Sequence, residues 1–182
     1  MCIEIVGLAV LVGWVRGGQV TNLARTPLRG LPWFILVGAF EVIMRFTQSP
    51  ERRLVYQALS LAELAVVAGL LWVNRHLPGV SLALAGLTLN SVVMAANGGL
   101  MPVSEWAATA SGQGAYISEL VSGQSPRHIM LNPQTRLPAL ADIIPVPPPY
   151  PWPRVLSIGD ILLFSGIARF TIWGMLCQHE GG

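Results

Sequence analysis

An all-α bundle of about five membrane-spanning helices, with one long loop before the last of them, is the fold this sequence predicts. Charged residues make up 11 % of the chain and hydrophobic residues 53 %, against roughly a quarter charged in ordinary soluble domains. A charge in hydrocarbon is costly even on lenient insertion scales, so chains that cross membranes shed them. The apolar residues gather into stretches at 1–15, 31–47, 54–74, 78–97 and 155–177, near the roughly 17–25 residues that a spanning helix needs. A chain of 182 residues suffices for one such domain.

The first segment is short for a span, so it tilts, begins at Met1 itself or thins the bilayer locally. Four spans with an interfacial first helix is the alternative count. The second segment reaches spanning length with its flanks, and the third, fourth and fifth fit directly. Arg16, Arg25 and Arg29 follow the first segment and Arg75 follows the third. Placing these inside puts the N-terminus outside and the C-terminus in the cytoplasm, with Arg52 and Arg53 opposing.

Residues 98–154 then form an extracytoplasmic loop, longer than a structureless connection usually is. Within it, Ser104 to Ala110 and Ala115 to Val121 are expected as short interfacial helices, with Trp106 and Tyr116 at headgroup level. The run Pro145-Val146-Pro147-Pro148-Pro149-Tyr150-Pro151-Trp152-Pro153 is expected as an extended, stiff spacer.

Two helix ends face this loop. Asn97-Gly98-Gly99-Leu100-Met101-Pro102 reads as a C-terminal stop, because Asn or Gly adopts the left-handed conformation and Pro prevents continuation. The same glycine-freed N–H groups would suit a small anion or carbonyl. Ser157-Ile158-Gly159-Asp160 reads as a capping box, Ser as N-cap and Asp three residues on. A second acid, Asp142, is one loop away. Two close carboxylates that cannot both ionise share a proton, which suits general acid/base hydrolysis. Asp142 and Asp160 are thus the catalytic candidates if the protein is a hydrolase, and Asn97, Gly98, Gly99, His128 and Ser157 the candidate binding residues.

Four charges fall beyond the opening turns of the second, third and fifth apolar segments. Glu41 and Arg45 are i,i+4 in the favourable acid-first order, while Glu63 and Arg169 sit near mid-helix and are expected to pair across the bundle. An unpaired Glu63 would instead serve a proton path. Asn90 and Asn97 share a helix face and are placed to hydrogen-bond across the bundle. Ala65/Gly69 and Gly79/Ala83 would allow close helix contacts.

The remaining composition excludes several classes. The net charge of +2 and the lack of any basic run argue against nucleic acid as a partner. Cys2 and Cys177 form no metal-ligand spacing and read as small apolar residues. His76, His128 and His179 lie in loops or at the end, so no intramembrane histidine pair exists for haem. His128 reads as a solvated loop residue. There is no P-loop, GxSxG or HExxH, and no metal or cofactor is expected.

Together, the Asn97-Gly98-Gly99-x-Met101-Pro102 motif, His128, Leu140-Ala141-Asp142-Ile143-Ile144-Pro145-Val146-Pro147 and Ser157-x-Gly159-Asp160 resemble a family of small bacterial multi-pass membrane proteins. That family is known only as a domain of unknown function. The likeness runs over nearly the whole chain, including Arg16-Gly17-Gly18, and implies a bacterial plasma membrane with no established activity. From Asp142 to Met175 the chain also resembles the end of lipoprotein signal peptidases. In those enzymes one aspartate precedes an extracytoplasmic loop and a second opens the last helix, positions matched here by Asp142 and Asp160. The second acid there follows an Asn-x-x pattern, where Ser157 stands here, and four helices are usual rather than five.

The resulting expectation is a non-catalytic membrane subunit that binds a protein partner or lipid through its outer loop, with Trp106, Tyr116 and Trp152 at the contact. An intramembrane aspartyl hydrolase using Asp142 and Asp160 is the first alternative. A small-solute or proton carrier using Glu63, Asn90 and Arg169 is the second.

Overall fold

A computed structural model describes residues 2–46, 53–123 and 125–177, without the side chains of Cys2, Arg45 and Arg53. The protein is mostly helical. Each of the five apolar segments forms a helix: α1 (Cys2–Val15), α3 (Leu31–Phe46), α4 (Arg53–Val73), α5 (Val80–Ala96) and α8 (Ile158–Leu176). A short α2 (Val20–Ala24) follows α1. Two stretches, Leu54–Val73 and Ile158–Leu176, are long and apolar enough to cross a membrane, while Ile3–Val15, Leu31–Met44 and Val80–Ala96 are shorter apolar helices.

The centre of the bundle is the antiparallel crossing of α5 and α8. Backbone contact is possible because glycine faces glycine there. A Cβ added at Gly166 would strike the Ala83 nitrogen and the Gly79 carbonyl, and one at Gly86 would strike the Gly159 carbonyl and Leu163 nitrogen. Gly79 and Ala83 therefore make the close contact expected of small residues. Gly69 does not, since nothing lies within 4 Å of its added Cβ.

On one side α1 packs against α8, where Met175 fills the space left by Gly13 and Gly18. The free carbonyl of Met175 near the end of α8 accepts from the Gln19 N–H (2.9 Å) and from Asn22 Nδ2 (3.0 Å). On the other side α4 packs on α5, and α3 on α4. The buried Asn74 ties the preceding loop to the end of α4: its amide accepts from the Arg29 N–H and donates to the Arg29 and Leu70 carbonyls, all at 2.8 Å.

Residues 98–157 fold into a cap over the end of the bundle where α5 stops and α8 begins. It contains β1 (Met101–Val103), α6 (Glu105–Ala110), α7 (Gly114–Val121), β2 (His128–Met130), β3 (Ile144–Val146) and β4 (Arg154–Leu156). Strand β1 pairs in parallel with β2 and, on its other edge, bridges to Asp142. Val103, Ala108 and Leu120 form a small core, packed by Tyr116, Ile117, Met130 and Val155.

The cap corrects one expectation. The proline-rich run is no extended spacer: β3 and β4 pair antiparallel, Ile144 opposite Leu156, so residues 147–153 are the loop of a hairpin. Pro147, Pro149, Pro151 and Pro153 bring no N–H groups that need ladder partners, and the turn is closed by the Tyr150 N–H on the Pro147 carbonyl. Tyr116 packs into the cap core, and its hydroxyl lies 3.3 Å from Ser125 Oγ.

Candidate functional site

The seam between cap and bundle is built by the hairpin. The Ile143 N–H bonds the Leu156 carbonyl, which brings residue 142 beside the start of α8. Asp142 is then pinned by its own backbone, its N–H on the Pro102 carbonyl and its carbonyl accepting from the Ser104 N–H, both at 2.9 Å.

Opposite it, α8 begins with a complete capping box. The Asp160 N–H donates to Ser157 Oγ (2.9 Å) and the Ser157 N–H to Asp160 Oδ2 (3.2 Å). Asn90 on α5 closes a ring: its Nδ2 donates to Asp160 Oδ1 (2.8 Å) and its Oδ1 accepts from Ser157 Oγ (2.9 Å). Gly159 lets Asn90 come this close, because any Cβ there would occupy the place of the Asn90 amide oxygen. Ser157 is fully buried, and every polar atom of this ring has its partner.

Asp142 differs. It is 7 % exposed, and its Oδ1 is buried without a hydrogen-bond partner among the described residues. Burial pushes its carboxyl well above the ordinary carboxylate range, and the Asp160 carboxylate nearby pushes the same way. Asp142 thus holds its proton more readily than an ordinary carboxyl. Neither described groove along α1 and α8 is lined by Asp142 or Asp160.

The helix stop at Asn97 is also built as a joint. Gly98 and Gly99 take the left-handed conformation (φ 70° and 84°), and the Gly99 N–H bonds back to the Met94 carbonyl at 2.8 Å. That is the bond a Schellman cap makes, so this N–H is spent on the helix and not offered to an anion. Asn97 clamps the loop, donating to the Arg136 carbonyl (2.9 Å) and accepting from the Arg136 N–H (2.9 Å).

His128 is not a solvated loop residue. It lies in β2, edge-on to the Tyr116 ring with centroids 5.9 Å apart. Burial, helped by the neighbouring Arg127 charge, pushes its imidazole down to about 4, so it is neutral at pH 7.

Two further clamps hold the cap. Arg127 makes a two-pronged ion pair with Glu41 of α3 (2.7 and 2.6 Å), and Glu63 of α4 lies 4.0 Å from the same guanidinium. The expected Glu63–Arg169 pair does not form, because α5 stands between α4 and α8; Glu63 faces Arg127 and Arg169 borders a groove beside α8. The expected Glu41–Arg45 contact falls on a side chain outside the described residues. At the other edge Arg154 pairs with Glu4 of α1 (3.0 Å) while the Tyr150 hydroxyl donates to Glu4 Oε2 (2.6 Å).

Sequence reasoning missed Arg127, Arg154 and Asn74. Their partners lie 86, 150 and 45 residues away, and no local pattern announces them. No group of three or more candidate metal ligands occurs among the described residues.

Residues 25–172, which run from the loop before α3 to the last turns of α8, match the family of unknown function DUF5317. The chain belongs to the DUF5317 family. This DUF5317 protein is also similar to an uncharacterised protein of Thermotoga maritima, 27 % identical over 172 residues that cover 94 % of this chain and 90 % of that one. No solved structure matches.

Proposed function

We propose that this DUF5317 protein is a five-span bacterial plasma-membrane protein whose extracytoplasmic cap docks a partner without catalysis. The observation that carries the membrane reading is the outer surface of the helices. In the most apolar stretch of α4 only 11 % of residues are buried, although such a helix in water would be the core. Ile3, Leu8, Leu11, Ile35, Ile43 and Val66 are all exposed. Trp14, Trp33 and Trp72 stand exposed at the end opposite the cap, as in an interfacial aromatic belt. The helices alternate in direction, and the end opposite the cap carries Arg16, Arg25, Arg29 and Arg75 with no described acid. That charge bias favours a cytoplasmic face there and an outer cap. Helices of 14, 16 and 17 residues span about 21–26 Å, and flanking residues with local thinning cover the rest of a roughly 30 Å core.

The docking reading is supported by how the cap is held and what it exposes. Ion pairs and side-chain bonds to α1, α3, α5 and α8 keep it fixed, while Trp106, Val121 and Trp152 remain more than half exposed on it. Exposed tryptophan on a rigid frame is the kind of anchor that interfaces use. The aspartyl-hydrolase reading fits less well, because Asp160 is fully engaged as a cap and Asp142 is closed off. A carrier built on Glu63 is disfavoured by the Arg127 charge beside it.

The test places a photo-crosslinking residue at Trp106 or Trp152 of the full chain in native membranes. A single discrete protein adduct from either position, lost when Val121 is replaced by Glu, is the expected result. Adducts only with lipid, or none, would refute docking of a protein through this face.

A further inference from the structure

Two grooves meet along α8. One, of about 330 Å³, lies between α1 and α8 and is bordered by apolar side chains that include Leu8, Val12 and Phe164. The other, of about 660 Å³, opens at the end opposite the cap and is bordered by Arg16, Arg169, Trp173 and Leu176. Ser165, Ala168 and Ile172 border both, so the apolar groove is continuous with one that Arg16 and Arg169 both border.

Those two arginines stand apart from the others that the cap uses. Arg127 and Arg154 are paired with acids, whereas the side chains of Arg16 and Arg169 make no ion pair or hydrogen bond with a described residue. No described acid lies on that face to neutralise them. From Arg169 back to Ile161 the channel follows about 12 Å of helix, comparable with the roughly 15 Å depth of one leaflet. A phosphate diester matches guanidinium geometry and charge, and anionic lipids crowd the leaflet that a basic face meets. An acyl chain matches the apolar remainder of the channel.

We infer that this flank of α1 and α8 holds one anionic phospholipid, its phosphate between Arg16 and Arg169 and one acyl chain in the groove beside Ala168. The inference rests on the membrane reading above.

Full-length protein in neutral detergent is titrated with phosphatidylglycerol, phosphatidylcholine or sodium phosphate, with bound lipid read by native mass spectrometry and stability by thermal midpoint. Phosphatidylglycerol is expected to stay bound and raise the midpoint, and the other two to do neither. The R16Q/R169Q variant should bind it at least about tenfold more weakly, as loss of a charge-assisted bond implies, and R75Q should bind it as wild type does. If R16Q/R169Q does not fold, Ala168→Phe should block binding by filling the channel. Equal binding of phosphatidylcholine, equal stabilisation by phosphate alone, or undiminished binding in these variants would overturn the inference. Release of the chain from membranes by alkaline carbonate would instead overturn the membrane reading itself.

Discussion

Replacing His128 and Asp142 one at a time separates two opposing pH dependences that the cap carries together. The His128 imidazole falls from 6.5 to about 4 on folding, which at about 1.4 kcal/mol per pH unit amounts to about 3 kcal/mol. Its folded value lies below its unfolded one, so the stability it allows is complete above pH 6.5. That stability is lost as the pH falls toward 4, because only the unfolded chain takes up the proton. Asp142 has the reverse sign. Its folded value lies well above 3.8, so stability is complete below about pH 3.8 and is lost as the pH rises, at about 1.4 kcal/mol per unit, until the folded group ionises. Between pH 4 and 6.5 the two slopes oppose each other in the wild type. Asp142→Asn therefore exposes the histidine slope and loses about 3 kcal/mol from pH 6.5 to 4. His128→Gln exposes the aspartate slope and is destabilised as the pH rises. Thermal midpoints in detergent between pH 4 and 8 read this out, at about 2–4 °C per kcal/mol for a chain of this size. Groups common to all three proteins cancel in the differences. Profiles for both variants that run parallel to the wild type would refute the buried neutral His128 and Asp142.

Three further outcomes test the packing. Gly166→Ala and Gly86→Ala force a methyl into backbone at the α5–α8 crossing and should cost at least about 1–3 kcal/mol, read by thermal midpoint. Gly69→Ala, with open space around it, should be neutral or stabilise by up to about 1 kcal/mol. Ser157→Ala removes bonds to both the Asp160 N–H and Asn90 and should cost about 1–2 kcal/mol; Asp160→Asn keeps one acceptor but turns an NH2 toward either Asn90 Nδ2 or the Ser157 N–H, and should cost a similar amount. Arg127→Ala removes the guanidinium that faces both Glu41 and Glu63 and should cost more than Glu41→Gln, with Arg127→Lys between them because it loses the two-pronged geometry; susceptibility of the cap to protease tracks the difference.

Apolar runs and end signals were readable because both are local. The 78–97 run became Val80–Ala96 and the Ser157–Asp160 box formed at the head of α8, since periodicity, glycine and capping pairs act within a turn or two. Asn90 bonds across the bundle to Ser157 and Asp160 as its helix face predicts, whereas Asn97 on the same face bonds the Arg136 backbone of the cap instead. The rest depended on contacts distant in sequence. Pro145 to Pro153 carries the same composition whether it is a spacer or a hairpin loop, and only the pairing of Ile144 with Leu156 decides. Glu63 found Arg127 rather than Arg169 because the order of helices around α5, which no single segment encodes, sets its neighbours. His128 looked solvated for the same reason: Tyr116, which covers it, comes from a different element.

The proposed bundle spans the membrane five times with its cap outside. Single cysteines placed at Ser118 in the cap and at Gln19 or His76 on the opposite face, in a chain with Cys2 and Cys177 replaced by Ser, test it with a membrane-impermeant maleimide on intact bacterial cells. Labelling at position 118 without lysis, and at positions 19 and 76 only after lysis, is the expected result. Labelling of 19 and 76 on intact cells with 118 protected would invert the orientation, and equal protection or equal exposure of all three would contradict the bundle's crossing of the membrane.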